Sequence, residues 1–358
     1  MNKVNVLILH RPRLTSSQEI MKPVAAGGPR ISVRDGTDLF ATEIEKSGKK
    51  GMLNELFLRE AKETSGGQSQ EQGGSLDALL AEAEVVFGLL RFPERLLARA
   101  PKLKWIHIGG VGIDIYRTSG IFDGSVTVTN SRGAIAIDIA EHVLAFIMML
   151  AKGLPRLMQL KQGRQWEPFE TLEVRSKTVG IIGLGAIGSE VVKLTKAIGM
   201  NVIGTRRSAT KRETNVSGMD ELYPLSELNS LLARSDFVVI AAPLTTATTH
   251  LIDEARLKMM KRSAYLVNIA RGGLVDEKAL IRALKEGWIA GAGLDVFERE
   301  PLSTDSELWQ IPNAILSPHM SGFADTHGKR VIGLFCDNLK RYLDGQTLMN
   351  ILDKNKEY

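Results

Sequence analysis

The feature that most constrains this chain is Gly183-Leu184-Gly185-Ala186-Ile187-Gly188, a G-x-G-x-x-G between an apolar strand, Val179–Ile182, and a helix opening near Ala186. In that context each glycine has a physical task. Gly183 permits the tight turn, Gly185 lets backbone approach a pyrophosphate, and Gly188 lets helix and sheet pack closely. The free N–H groups and dipole of the helix N-terminus, with Ala186 and Ile187 in its first turn, then face the phosphates. A glycine turn can also serve only itself. Here the strand before it, the helix after it and the strand beyond favour dinucleotide binding.

The pattern around the motif sets the fold class. Apolar strands are predicted at Asn201–Gly204, Phe237–Ala241, Ala264–Ile269, Gly291–Val296 and Ala314–Leu316, alternating with helices at Leu225–Leu232, Glu254–Met260 and Lys278–Glu286. Such alternation implies parallel sheets with right-handed crossovers, the α/β class. Earlier, strands are predicted at Val4–Leu9, Val85–Leu90, Leu103–Ile108 and Val126–Asn130, with a helix at Leu76–Ala83. Gly27–Ser75 is less regular, and its polar part around Thr64–Gly74 reads as an exposed loop. A last helix runs from about Asp325 to Leu343, with Gly345 as its stop. At 358 residues the chain has room for two domains. Ile135–Leu150 is apolar on nearly every side and marks a junction, either between domains or against a second subunit.

The end of the second strand bears on which dinucleotide is bound. NAD sites use a carboxylate there for the ribose hydroxyls. This chain has Thr205, Arg206, Arg207 and Ser208, with Lys211 and Arg212 close behind. A carboxylate would repel a 2′-phosphate, whereas arginine grips one through charge-assisted bonds. A solvated basic turn is the alternative, but the absence of acid favours NADP(H), with NAD(H) still possible.

Composition removes other classes. The net charge of +5 is spread out, with no long Lys/Arg run and no metal-ligand or Cys/His finger spacing, so neither nucleic acid nor a metal is expected. Cys336 is alone, which precludes an intrachain disulfide and reads as a buried bystander. No signal-peptide pattern follows the first strand, and Asp138, Glu141 and His142 interrupt the most apolar segment. A cytoplasmic protein off the membrane is expected.

Three residues at successive strand ends are candidates for chemistry. Arg271 follows Ala264–Ile269, Glu300 follows Gly291–Val296, and His319 follows Ala314–Leu316. Ligands of open α/β sheets bind at that edge. Histidine is the usual proton shuttle near neutrality, and a carboxylate on its ring would fix its tautomer. Singly, each residue could instead be a structural histidine, a surface ion-pair former or a turn residue.

Four long segments then resemble the D-isomer-specific 2-hydroxyacid dehydrogenase family. They are TVGIIGLGAIGSEVV (178–192), VNIARGGLVDEKAL (267–280), GAGLDVFEREPL (291–302) and SPHMSG (317–322). The likeness spans roughly Leu103 to Tyr358 and is weaker before that. It implies two Rossmann-like or flavodoxin-like parallel-sheet domains with an interdomain cleft. The substrate domain would be 1–131, completed by 320–358, and the NAD(P)-binding Rossmann domain 132–319. It assigns substrate binding and polarisation to Arg271, pKa support to Glu300 and acid/base work to His319. Asp295 would meet the nicotinamide carboxamide, with further cofactor contacts at Pro243 and Ala270. Gly110-Val111-Gly112, within IGGVGID, would hold the substrate carboxylate by backbone N–H groups, and Phe87–Leu90 would line the opposite side, with Leu90 a substrate contact.

The implied reaction is reduction of a 2-oxo acid to the D-2-hydroxy acid, or its reverse, by a homodimer. The change to Arg206 is the one expected of NADPH-preferring glyoxylate and hydroxypyruvate reductases. Ile115 after Asp114 and Arg132 before Gly133 depart from the family pattern and loosen any substrate assignment. Too little chain follows His319 to match the longer, serine-regulated phosphoglycerate dehydrogenases. Two readings compete: an NAD-linked dehydrogenase of D-lactate, D-glycerate or 3-phosphoglycerate, and a non-catalytic dinucleotide-binding corepressor. A corepressor would not need Arg271, Glu300 and His319 together.

Overall fold

The computed structural model describes residues 3–10, 30–48, 52–64, 75–89, 91–116 and 119–353. Leu90 and residues 65–74 of the expected polar loop lie outside them. The chain is α/β and divides into two compact units, Met1–Ile135 with Ala324–Tyr358, and Ala136–Phe323. Each is built on a parallel sheet, as the strand–helix alternation predicts.

The first unit carries strands β1 (Val4–Ile8), β2 (Ile31–Asp35), β3 (Val85–Gly88), β4 (Trp105–Ile108) and β5 (Thr127–Asn130) in the order β2-β1-β3-β4-β5, all parallel. Strand β1 shows why its sequence is an unbroken apolar run. Leu7 packs with α1 (Thr37–Ser47), α2 (Met52–Thr64) and α3 (Leu76–Glu82) through Phe40, Phe57 and Leu80. The alternate residues Val6 and Ile8 pack on the other face, with Val331, Phe335 and Leu339. A strand covered on both faces needs apolar side chains at every position. A short helix, α4 (Leu96–Arg99), lies between β3 and β4.

Beyond β5 the chain enters the second unit with α5 (Ala136–Ala151) and α6 (Leu154–Gln162). Its sheet contains β6 (Thr178–Ile182), β7 (Asn201–Thr205), β8 (Glu213–Val216), β9 (Met219–Tyr223), β10 (Phe237–Ile240), β11 (Tyr265–Asn268), β12 (Gly291–Leu294) and β13 (Ala314–Leu316). The order is β13-β12-β11-β10-β6-β7-β9-β8, parallel except for the β8–β9 hairpin. The connecting helices are α7 (Ala186–Ala197), α8 (Leu228–Arg234), α9 (Glu254–Met259) and α10 (Glu277–Lys285). Strand order reverses between β6 and β10, so the glycine motif, which follows β6, stands at the switch point where such sheets bind ligands. The chain then returns to the first unit as α11 (His327–Leu343), whose Val331, Ile332, Phe335 and Leu339 form a buried stripe. Gly345 follows it at φ +67°, the left-handed stop its sequence predicts.

The sequence reading overlooked β2, α1, α2, α4, α6 and the β8–β9 hairpin. It also began the helix after Pro224 too early, since Leu225–Glu227 form a 3₁₀ turn before α8. Among the described residues, no helix is long and apolar enough to cross a membrane.

A buried polar chain at the end of β4 has a measurable consequence. Thr129 Oγ1 lies 2.8 Å from both Trp105 Nε1 and His107 Nδ1, and His107 Nε2 lies 3.1 Å from Ser131 Oγ. Burial pushes the His107 imidazole down to about 3. The unfolded chain therefore binds a proton near pH 6.5 that the folded chain refuses until about pH 3. Stability from this group is present above pH 6.5 and falls as pH drops through that window, by up to about 1.4 kcal/mol per pH unit. Urea denaturation at pH 7 and pH 5 is expected to show that loss in the wild type and a smaller one in His107→Gln. Equal losses would contradict a neutral buried His107.

Candidate active site

The three glycines of the switch-point loop are separable by what a side chain would meet. At Gly183, φ is +100° and a Cβ would lie 2.7 Å from the backbone of Ala241 and Ala242. At Gly188 it would lie 2.1 Å from the Gly183 carbonyl oxygen. At Gly185 nothing among the described residues lies within 4 Å. Two of the glycines therefore close the loop against the sheet, and the exposed one leaves room in front of it. Gly185 is also the N-cap of α7 and makes no side-chain cap bond, so the helix's first N–H groups, at Ala186 and Ile187, remain for an anion. An open cradle before an uncapped helix end fits a dinucleotide pyrophosphate.

Thr205 closes β7 with its hydroxyl buried and without a hydrogen-bond partner among the described residues, and Arg206 and Arg207 follow it on the surface. Arg206 has no hydrogen-bond or ion-pair partner for its side chain among the described residues. Arg212 does not share that freedom: its guanidinium bonds Glu227 at 2.5 Å and lies 4.5 Å above the Tyr223 ring. Pro243 follows β10 and Ala270 follows β11, so the expected cofactor residues gather along one edge of this sheet.

The chemical groups stand on the same edge. Asn268, buried at the end of β11, accepts from the Ala270 N–H at 3.2 Å and donates to the Arg271 carbonyl at 2.9 Å, which fixes the turn bearing Arg271. Arg271 Nη1 donates to the Ala270 carbonyl at 2.7 Å. The next residue must be glycine, because a Cβ on Gly272 would fall 1.9 Å from the Phe297 carbonyl carbon. That contact seats the arginine turn on the turn bearing Glu300. There the Phe297 N–H donates to Glu300 Oε1 at 3.0 Å, and Glu300 Oε2 lies 2.6 Å from His319 Nδ1.

His319 has a left-handed backbone, φ +52°, which costs a non-glycine residue about 1–2 kcal/mol. Asp295 holds it there. Its carbonyl accepts the His319 N–H at 2.8 Å. Its carboxylate, fully buried, accepts Ser317 Oγ–H at 2.5 Å, the Met320 N–H at 2.9 Å and the Ser321 N–H at 3.0 Å. Ser317 and Asn268 are supports that the sequence reading did not single out.

The carboxylate also settles the imidazole's tautomer. Glu300 Oε2 accepts from Nδ1–H, so His319 Nε2 is the nitrogen left to exchange a proton, a base when neutral and an acid when charged. In the first unit, the Gly110 carbonyl accepts the Ser131 N–H at 3.1 Å, and the Val111 carbonyl accepts Asn130 Nδ2 at 2.7 Å. The loop is thus held through its carbonyls, while the N–H groups of Gly110, Val111 and Gly112 meet no acceptor among the described residues.

Residues 144–321 match the family model for the NAD binding domain of D-isomer specific 2-hydroxyacid dehydrogenase. The chain is 34% identical over 337 residues to the glyoxylate reductase of Pyrococcus horikoshii, covering 90% of this chain and 93% of that one. It is 36% identical over 276 residues to the D-3-phosphoglycerate dehydrogenase of Methanocaldococcus jannaschii, covering 76% of this chain but only 52% of that longer relative. Among solved structures, a D-isomer specific 2-hydroxyacid dehydrogenase from Xanthobacter autotrophicus in complex with NADPH superposes with a TM-score of 0.76 at 26% identity, over 100% of both chains. An NADPH-dependent glyoxylate/hydroxypyruvate reductase from Sinorhizobium meliloti, in complex with NADP and sulfate, gives 0.73 at 25% identity, over 99% of this chain and 100% of that one.

The open and the closed-in positions of the glycine loop give contrasting expectations. Gly185→Ala is expected to fold with stability within about 1 kcal/mol of wild type and to bind nucleotide at least about tenfold more weakly. Gly188→Ala is expected to lower the melting temperature, since its methyl group meets backbone. Melting curves and nucleotide fluorescence titration check both. Equal binding losses with equal destabilisation would remove the distinction.

Proposed function

The chain belongs to the D-isomer specific 2-hydroxyacid dehydrogenase family, and we propose that it is an NADPH-dependent reductase of small 2-oxo acids of the glyoxylate and hydroxypyruvate type. Its class, an oxidoreductase acting on CH–OH with NAD(P), follows from that membership. The observation that carries the chemistry is the His319–Glu300 pair at 2.6 Å beside the turn that carries Arg271. Names of relatives support the substrate class, and Arg206, whose side chain has no partner among the described residues, supports the nucleotide.

When bound, the nicotinamide dinucleotide supplies the hydride. The residues Gly183, Gly185, Ala186, Ile187, Gly188, Thr205, Arg206, Arg207, Pro243, Ala270 and Asp295 are assigned to its site. Arg271 holds the substrate carboxylate and draws charge from its carbonyl oxygen, stabilising that oxygen as negative charge develops on it. His319, protonated, donates its Nε2 proton to the same oxygen, and the Glu300 carboxylate stabilises the imidazolium until transfer is complete. Oxidation reverses the order: neutral His319 accepts the hydroxyl proton at Nε2. Backbone N–H groups of Gly110, Val111 and Gly112 are assigned to the carboxylate as well.

A homodimer is the proposed state. In the second unit Trp166 is 100% exposed, and Ile137, Leu157 and Met158 are more than two-fifths exposed. Large apolar side chains in water are a common mark of an association surface. Sedimentation of the wild type as a dimer, and of Trp166→Glu as a more weakly associating species, is expected.

The activity is tested by NADPH oxidation with glyoxylate, hydroxypyruvate, pyruvate and bulkier 2-oxo acids. His319→Ala and Arg271→Ala are expected to lose about 10²-fold or more in turnover while still binding nucleotide. Arg206→Asp is expected to raise KM for NADPH about 10- to 100-fold, the value of one lost charge-assisted contact, with KM for NADH unchanged or lowered. An unchanged ratio, or a wild type that prefers NADH, would overturn the nucleotide assignment. No turnover of any 2-oxo acid with either nucleotide would overturn the reductase reading.

A further inference from the structure

The loop that carries His319 is tied to a helix far away in sequence. Phe146 of α5 seats against Gly293 of β12, where a Cβ would lie 2.8 Å from its ring. That close approach brings the helix down onto the carboxyl edge. His142, one turn earlier on the same face, packs edge-on against Phe146 with ring centroids 4.6 Å apart. Its Nε2 reaches Ser317 Oγ at 3.1 Å. Ser317 Oγ in turn lies 2.5 Å from Asp295 Oδ1.

Proton counting gives this chain a direction. A serine hydroxyl has one hydrogen, and a carboxylate only accepts. The Ser317 hydrogen therefore goes to Asp295, and its oxygen accepts from His142 Nε2–H. Burial holds His142 below the ordinary imidazole value, with Asp295 pulling the other way. His142 is thus fixed as a donor to Ser317. Beyond Ser317, Asp295 bonds the backbone N–H groups of His319, Met320 and Ser321.

We propose that His142 is a positioning residue, acting through Ser317 and Asp295 to hold the His319 loop in its left-handed conformation from helix α5. This rests on the reading of His319 as the acid/base. A ring that only filled space would be replaceable by leucine. A donor in series with Ser317 is not.

The test uses the full-length protein with NADPH and its best 2-oxo acid. His142→Leu removes the donor and keeps most of the volume. His142→Gln restores a donor, placing an amide N–H near the position of Nε2. His142→Leu is expected to lower kcat about tenfold, because small misplacement of an acid/base is costly. Its NADPH dissociation constant is expected to stay within about twofold and its melting temperature close to wild type. His142→Gln is expected to recover most of the loss. The double variant with Ser317→Ala is expected to be no slower than Ser317→Ala alone, since both act on one chain. Wild-type kcat in His142→Leu, failure of glutamine to rescue, or losses that multiply in the double variant would overturn the proposal. His319→Ala, assayed alongside, separates that result from failure of the reductase reading: an active His319→Ala would sink the reading itself.

Discussion

Parallel pairing is the constraint on which the site depends. Strands that run the same way present their carboxyl ends on one edge, spaced by about 4.8 Å. In the second unit β11, β12 and β13 are neighbours, and the turns that leave them carry Arg271, Glu300 and His319 in that order. Residues tens of positions apart are therefore delivered to adjacent turns before any side chain has chosen a partner. The glycine loop leaves β6 on the same edge, next to the point where the order reverses. The fold supplies the neighbourhood, and the loops supply the geometry.

That geometry is made by backbone contact more than by side chains. Gly272 touches the Phe297–Glu298 peptide, so the Arg271 and Glu300 turns form one packed unit. The Phe297 N–H and the His319 ring then take both oxygens of Glu300. His319 stands in an unfavourable conformation, and three bonds from Asp295 to the backbone of residues 319–321 offset its cost at about 1 kcal/mol each. The sequence likeness gives Asp295 a nicotinamide contact. Beside that expected contact, its carboxylate is buried and bonded to the histidine loop.

Legibility in the sequence followed burial. Strands β6, β10 and β11 are covered on both faces and write themselves as apolar runs, which is why the second unit could be laid out from the residues alone. Strand β8, Glu213–Val216, is a half-exposed edge strand with polar side chains, and only Ser217-Gly218 hints at its hairpin turn. Strand β2 is another edge strand and is mostly half-buried. The chemical residues were visible because each follows a recognisable strand in a distinctive segment. Their supports were not. His142 lies 175 positions from Ser317, and its sequence setting, an apolar helix, says only that a polar group interrupts it.

The basic turn after β7 shows how structure divides a charge cluster that composition treats as one. Arg212 already has a carboxylate and an aromatic face within its own unit, and taking it from Glu227 would sacrifice a bonded pair. Arg206 has no such commitment among the described residues, and it directly follows the strand whose last residue stands nearest the glycine loop through the Gly183 N–H to Thr205 carbonyl bond at 2.9 Å. An anion arriving there meets a cation whose only loss is hydration. A ribose hydroxyl gains less from a guanidinium than from a carboxylate, since it would have to serve as acceptor alone, while a phosphate oxygen gains a charged, bidentate partner. The structure thus separates Arg206 from Arg212, although the sequence displays them in one cluster of four basic residues in seven positions, Arg206 to Arg212.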